Sequence, residues 1–254
     1  MNSFKDHFKD HFSDRSDAYL RYRPTYPPAL FAWLADTAPG RRRAWDCATG
    51  SGQAAVALAD HFDAVVATDA SARQLAHAMA HPKVAYRVAR AEASGLDDAS
   101  CDLVTVAQAI HWFDLDTFAA EAARVLAPGG AIAAWTYKRL LVDAAVDAVL
   151  DELYGPVLGS YWPPERTHVQ DGYVRIALPF PEITPPAFTM TARWDLDRLL
   201  AYLRTWSSAT RCLAATGRDM VAEFAPALAA AWGPDPGPRT ITWPFVLRVW
   251  RPDA

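Results

Sequence analysis

The chain has 254 residues, 52% of them hydrophobic and 21% charged, with 25 Lys and Arg against 29 Asp and Glu. That apolar content is ample for a buried core and argues against disorder, while a formal net charge of −4 counts against nucleic acid as a partner, which calls for a basic field. The three cysteines, Cys47, Cys101 and Cys212, are odd in number and far apart, which excludes a disulfide framework and a zinc knuckle and points to a reducing, cytoplasmic setting.

In chain order, "MNSFKDHFKDHF" has no apolar h-region, and no later apolar run is long enough to span a bilayer, so neither a secretory signal nor a membrane anchor is expected. His7 and His11 share an i, i+4 spacing, but so do Phe4, Phe8 and Phe12. An amphipathic helix with an aromatic face explains the pattern, and no metal site is expected. "YLRYRPTYPP" reads as a stiff loop, because Arg23 and Tyr26 each precede a proline. A helix over about 28–38 follows, with Pro28 in its first turn and Gly40 beyond its end.

Strands and helices then alternate. "RAWDCAT", "AVVATD", "VAYRVA", "CDLVTVAQA" and "AIAAWTY" read as strands. "GQAAVALADHF", "SARQLAHAMAH" (with Ser71 as N-cap) and "DTFAAEAARVL" (ended by "PGG") read as helices. Short apolar strands alternating with helices predict a parallel α/β sheet covered on both faces. After Tyr137, Pro and Trp become dense. Helices are expected at 195–207, capped by Asp195, and at about 218–231. "RTITWPFVLRVW" alternates as one strand, with Pro244 marking an edge or a bulge. No linker separates a second domain. The chain reads as one domain over 1–254, with an arm (1–27), a core (28–140) and a closing cap (141–254).

The chemistry concentrates at "AWDCATGSGQAAVALA", residues 44–59. Glycines between a strand and a helix let a ligand approach the main chain, and Asp69, ending the second strand, can accept both hydroxyl hydrogens of a ribose. Gly50 to Ala55 formally matches the G-x-G-x-x-A of a dinucleotide loop. Asp46, however, is a poor neighbour for a pyrophosphate and a good one for a cofactor carrying an ammonium and a sulfonium. The alternatives are a nicotinamide-dependent oxidoreductase and a binding or regulatory protein without turnover.

The run "DCATGSGQ", Asp69, "ARAEASGL", "CDLVTVAQAIHWFD" and "RVLAPGGAIAAW" occur in an order that resembles class I S-adenosylmethionine-dependent methyltransferases. The "YRPTYP" arm, "LRTWSSATR" and "WPFVLRVW" resemble the small-molecule branch related to trans-aconitate methyltransferase. The resemblance implies a Rossmann-like, mostly parallel seven-stranded sheet with helices on both faces, a final antiparallel strand, an N-terminal arm and C-terminal cap helices. The cofactor it implies is S-adenosyl-L-methionine, with S-adenosyl-L-homocysteine as product. Asp46, Ala48, Gly50, Gly52 and Gln53 would surround its methionine part, Asp69 its ribose, and Ala70, Ala91 and Glu92 its adenine. Gln108 would border it, and Arg23 would either pair with its carboxylate or brace the arm. Arg90 stands where the family often has an acid for the adenine amino group.

Methyl transfer needs alignment more than activation, so a carboxylate acceptor needs no base and a hydroxyl wants one. His111 is the candidate base. Tyr19, Tyr26, Trp112 and Trp206 are the candidate substrate contacts, with Arg139, Arg204 or Arg211 for an acidic substrate. Ala48 replaces the first family glycine and is expected in an extended conformation at negative φ, leaving Gly50 or Gly52 to make the close approach.

Overall fold

The computed structural model describes residues 22–252. Tyr19, His7, His11 and the FKDH repeats lie outside them. Helix α1 (Pro28–Thr37) opens with proline at its first position, where the missing N–H leaves no bond unmade. The alternating part runs β1 (Arg43–Cys47), α2 (Gln53–Ala59), β2 (Ala64–Asp69), α3 (Ala72–Leu75), β3 (Val84–Val88), β4 (Cys101–Ala107), α4 (Leu115–Val125) and β5 (Leu126–Tyr137). Then come α5 (Ala144–Glu152), α6 (Arg166–Gln170), β6 (Glu182–Ile183), β7 (Met190–Trp194), α7 (Leu196–Leu203), α8 (Ser207–Thr216), α9 (Met220–Trp232), β8 (Arg239–Trp243) and β9 (Phe245–Trp250).

Seven strands form one sheet in the order β3-β2-β1-β4-β5-β9-β6. Strands β1 to β5 pair in parallel, and β9 runs antiparallel between β5 and β6. The strand order reverses between β1 and β4, so the crevice beyond their carboxyl ends is where a ligand fits this topology. Side-chain alternation sorts the core. Trp45, Cys47, Ile132 and Ala134 pack with Phe118 of α4 on one face. Ala44, Ala131, Ala133 and Trp135 pack with Leu30 and Leu34 of α1 and Leu58 of α2 on the other. A third apolar cluster, with Trp194, Trp206, Trp232 and Trp243, ties α5 and α7–α9 to the two-stranded β7–β8 ribbon and forms the cap.

Three expectations are corrected. The helix read over "SARQLAHAMAH" stops at Leu75, although Ser71 does cap it by accepting from Gln74 N. Beyond it, Met79 N donates to Ser51 O (3.0 Å) and Met79 O accepts from the Tyr86 hydroxyl (2.6 Å), so long-range bonds draw the segment onto the glycine turn. The run "RTITWPFVLRVW" is two strands. Pro244 has no N–H for a ladder and sits at the change of sheet, where its carbonyl accepts from Lys138 N (2.9 Å). "PGG" lies inside β5 as a bulge, since Leu126 pairs with Cys101 while Ala131 already pairs with Leu103. Asp195 caps α7 as read, and α9 begins one turn-residue after its cap Asp219. Helices α5, α6 and α8 are additions of the structure.

Candidate active site

The turn after β1 is held by its own polar groups. Asp46 is wholly buried; its carboxylate accepts from the hydroxyls of Thr49 (2.5 Å) and Thr105 (2.7 Å). Burial, with Asp69 nearby, pushes its pKa up to about 6 despite those bonds. Asp69, also largely buried, accepts from Gly50 N (2.9 Å) and Ser71 N (2.8 Å), and Thr49 N donates to Thr68 O (2.9 Å). These bonds lash the turn to the end of β2 and leave further acceptor capacity on the Asp69 oxygens.

The expected extended conformation of Ala48 is wrong. Its φ is +53°, with Gly50 at +55° and Gly52 at +82°. The left-handed turn at 48 accompanies the bonds from Thr49 N to Thr68 and from Gly50 N to Asp69, and it costs a residue with a Cβ roughly 1–2 kcal/mol. The Ala48 methyl packs against the core cluster that holds Trp45 and Cys47. The two glycines differ. A Cβ on Gly52 would meet the Tyr86 hydroxyl at 2.1 Å, so its close approach is to this chain's own tyrosine. A Cβ on Gly50 would meet nothing within 4 Å and would point into open space. That opening lies next to Asp69 and leaves room for the methionine part of a bound S-adenosyl-L-methionine beside the acid.

The other candidates on this side fall nearby. Gln53 donates through Nε2 to Pro24 O (3.1 Å), fastening the arm to the turn. Ala70 directly follows Asp69 at the end of β2, and Ala91 is buried. Glu92 accepts from Asp114 N and from Arg90 Nε, both at 3.3 Å, so Arg90, whose side chain is largely exposed, turns to Glu92.

Beyond β4 lies a second group. Gln108, His111, Trp112 and Trp206 line one small cavity together with Arg23 and Arg166. Gln108 sits at φ +60°; its Oε1 accepts from the Thr136 hydroxyl (2.9 Å), and its buried Nε2 has no hydrogen-bond partner among the described residues. His111 Nδ1 meets the Tyr173 hydroxyl at 2.9 Å. Burial first, then the charges of Arg166 and His168, push the His111 pKa down to about 3, so its imidazole is neutral at neutral pH. Arg23 donates to the Tyr137 hydroxyl (3.0 Å) and to Thr205 O (3.1 Å) and lies over the Tyr202 ring, which joins arm, sheet and cap. Tyr26 packs among Phe31, Trp135, Tyr137 and Phe245, apart from the cavity wall.

Arg166 was not legible from the sequence. Its guanidinium stacks on Trp162 (4.7 Å) and donates to the Tyr154 hydroxyl (3.1 Å). It borders both the inner cavity, about 70 Å³, and an outer one of about 290 Å³ that shares Trp162 and Pro163 with it. Arg139 and Arg204, considered for an acidic substrate, are paired instead with Asp151 (2.7 Å) and Asp219 (3.2 Å). The only signal for Arg166 is the density of Pro and Trp in "YWPPERTH", which marks a packed loop but not its direction. Among the described residues no cluster of His, Cys, Asp and Glu is suited to a metal, and no helix is long and apolar enough to cross a membrane.

A mostly parallel sheet with this strand order, an antiparallel strand inserted beside β5 and a glycine turn facing an acid at the end of β2 define a Rossmann-like methyltransferase. The family model described as "Methyltransferase domain" matches residues 45–134. A Dictyostelium discoideum protein named as a methyltransferase is 33% identical over 221 residues, covering 85% of this chain and 84% of that protein. A solved structure named as a type II methyltransferase from Anaeromyxobacter dehalogenans is 50% identical, with a TM-score of 0.85 over 91% of this chain and 98% of that one. An Anabaena variabilis structure, named as a methyltransferase from an antibiotic biosynthesis pathway, shares the fold at 19% identity, with a TM-score of 0.54 over 89% of this chain and 98% of that one. The chain belongs to the class I S-adenosylmethionine-dependent methyltransferases, and it is an enzyme of that class.

Proposed function

We propose that this enzyme methylates an oxygen of a small molecule bound between the end of β4 and the cap, within the branch related to trans-aconitate methyltransferase. The observation that carries the reading is the cavity itself. It lies beside Gln108 at the carboxyl end of β4, is walled by Trp112 and Trp206, and shares Trp162, Pro163 and Arg166 with a larger neighbouring cavity. Together the two chambers suit a metabolite-sized acceptor better than a polymer, and the net charge of −4 does not favour nucleic acid. We take the chain as one working unit of arm, core and cap. Its free, buried cysteines suit a cytoplasmic setting.

S-adenosyl-L-methionine would supply an activated methyl group on a sulfonium. Gly50 would give its methionine part access to the main chain, while Gly52 seats the turn against Tyr86 and Asp46, Ala48 and Gln53 shape it from behind. Asp69 would accept from the ribose hydroxyls, and Ala70, Ala91 and Glu92 would border the adenine. Gln108 Nε2, a buried donor without a partner among the described residues, would gain one from a ligand in the cavity. Arg23 holds the arm over the site rather than offering a free cation.

A screen with radiolabelled methyl donor against separate pools of hydroxylated and carboxylic small molecules tests this. Label is expected in an oxygen-methylated product and is expected to fall at least about tenfold with Trp206→Ala, which removes a wall of the cavity. Label appearing only in nucleic acid or protein would overturn the reading.

A further inference from the structure

Among the described residues, Arg166 has no acid within ion-pair distance. Other arginines of the cap find one: Arg139 faces Asp151 (2.7 Å), Arg204 faces Asp219 (3.2 Å), and Arg218 and Arg239 face Glu223 and Asp143. Neutral groups hold Arg166 instead. Its guanidinium stacks on the Trp162 ring at 4.7 Å and lies 5.8 Å from the Tyr154 ring, and its Nε donates to the Tyr154 hydroxyl at 3.1 Å. Those contacts take one face and one N–H. The four N–H groups on the two terminal nitrogens make no hydrogen bond among the described residues, and they lie in a planar fork that matches a carboxylate. The side chain is half-buried, so part of its water is removed without an anion to compensate.

The surroundings keep that charge available. Arg166 lines both the inner cavity of about 70 Å³ and the outer one of about 290 Å³, and no aspartate or glutamate lines either among the described residues. Its field reaches the inner wall, where it is the main influence after burial that keeps the His111 ring neutral. On the same inner lining, Gln108 Nε2 is a second donor, buried and without a partner among the described residues. A fixed cation and a neutral donor therefore face two oxygen functions of one molecule. S-adenosyl-L-methionine carries a carboxylate too, but neither the turn at Gly50 nor Asp69 contributes to either cavity. The outer cavity is built entirely from residues 154–170 of the cap, which puts the anion on the acceptor's side.

We propose that Arg166 is a specificity-determining residue that receives a carboxylate of the methyl acceptor, so that the enzyme selects acids bearing a second oxygen function and methylates that second oxygen. This rests on the methyl-transfer reading above and narrows its substrate class. A carboxylate paired with a guanidinium fork has its lone pairs engaged in charge-assisted hydrogen bonds and is a weak nucleophile, so it serves as the anchor. The other oxygen, turned toward Gln108, takes the methyl group. The product keeps the negative charge of the anchoring carboxylate.

The test offers radiolabelled methyl donor to the full chain with hydroxycarboxylic and dicarboxylic acids, and with the same compounds carrying one carboxyl group as its amide. The wild type is expected to favour the acids over the matched amides at least about tenfold in kcat/KM, with labelled products that an anion exchanger retains. Arg166→Gln should raise KM for the acids at least about tenfold and bring the acid-to-amide ratio close to one, because it removes a charge that the amide does not use. A merely structural loss would lower turnover of both alike. Arg166→Lys keeps the charge without the fork, should retain part of the preference, and is the second variant should Arg166→Gln not fold. S-adenosylhomocysteine should bind Arg166→Gln as it binds the wild type. Weaker binding by the folded variant would assign Arg166 to the donor's carboxylate and overturn the proposal. Equal use of acids and amides by the wild type, an acid preference that survives in folded Arg166→Gln, or no label in an anionic product would also overturn it. Absence of S-adenosylhomocysteine binding by the wild type would sink the methyl-transfer reading itself, whereas loss of the acid preference alone leaves that reading standing.

Discussion

At the scale of the residue, Ala48 and Asp46 carry opposite tensions in one turn. Ala48 holds a left-handed φ of +53° that glycine adopts without a Cβ penalty. Ala48→Gly should therefore raise unfolding stability by about 1 kcal/mol, or about 2–4 °C in Tm for a chain of this size. A lower Tm would show that the methyl's packing against the core outweighs the strain. Asp46 was legible as important but not as buried. The sequence displays an acid before glycines, whereas Thr49 and Thr105, which satisfy it, are three residues away and on another strand. Its folded pKa of about 6 lies above the ordinary 3.8. The native state therefore binds the proton more tightly, and this contribution is full below pH ~4 and lost as pH rises through ~6. A shift of this size corresponds to roughly 3 kcal/mol. In urea unfolding, wild-type stability minus that of Asp46→Asn should fall by that order between pH ~4 and ~7. A difference that is flat or rises with pH would contradict the burial argument.

At the scale of the element, the inner strands were legible because a strand buried on both faces must be apolar throughout, as "AVVATD" and "CDLVTV" nearly are. The end of α3 was not, because long-range bonds from Ser51 and Tyr86 decide it. The same tyrosine separates two glycines that look alike in sequence. Gly52→Ala combines a left-handed φ with a 2.1 Å approach to the anchored Tyr86 hydroxyl and should cost more than about 2 kcal/mol. Gly50→Ala meets open space and should cost only its φ strain, about 1 kcal/mol. Gly50→Ala should nonetheless weaken S-adenosylhomocysteine binding, because its methyl points where the ligand would lie. Denaturation curves and titrations of the two variants separate these effects. Equal losses of stability would contradict the assignment.

At the scale of the whole molecule, arm, sheet and cap meet at one place. Arg23 reaches Tyr137 at the end of β5 and Thr205 in the cap, and Gln53 reaches Pro24 in the arm. The cap's share of this site was the least legible part. Its helices pack through aromatic contacts such as Trp162–Trp206 and Trp194–Trp243, and no periodicity announces which ring faces which. Arg166 and Tyr173 belong to that share: one borders the cavity and the other lies behind His111. In the proposed function, the turn at Gly50 and the carboxylate of Asp69 form the seat of the methyl donor. Calorimetric titration of the full chain with S-adenosylhomocysteine tests it most directly. The expected result is saturable one-to-one binding that weakens at least about tenfold in Asp69→Asn, a loss of about 1.4 kcal/mol, while the variant still unfolds cooperatively. No binding by the folded wild type, or equal binding by Asp69→Asn, would contradict it.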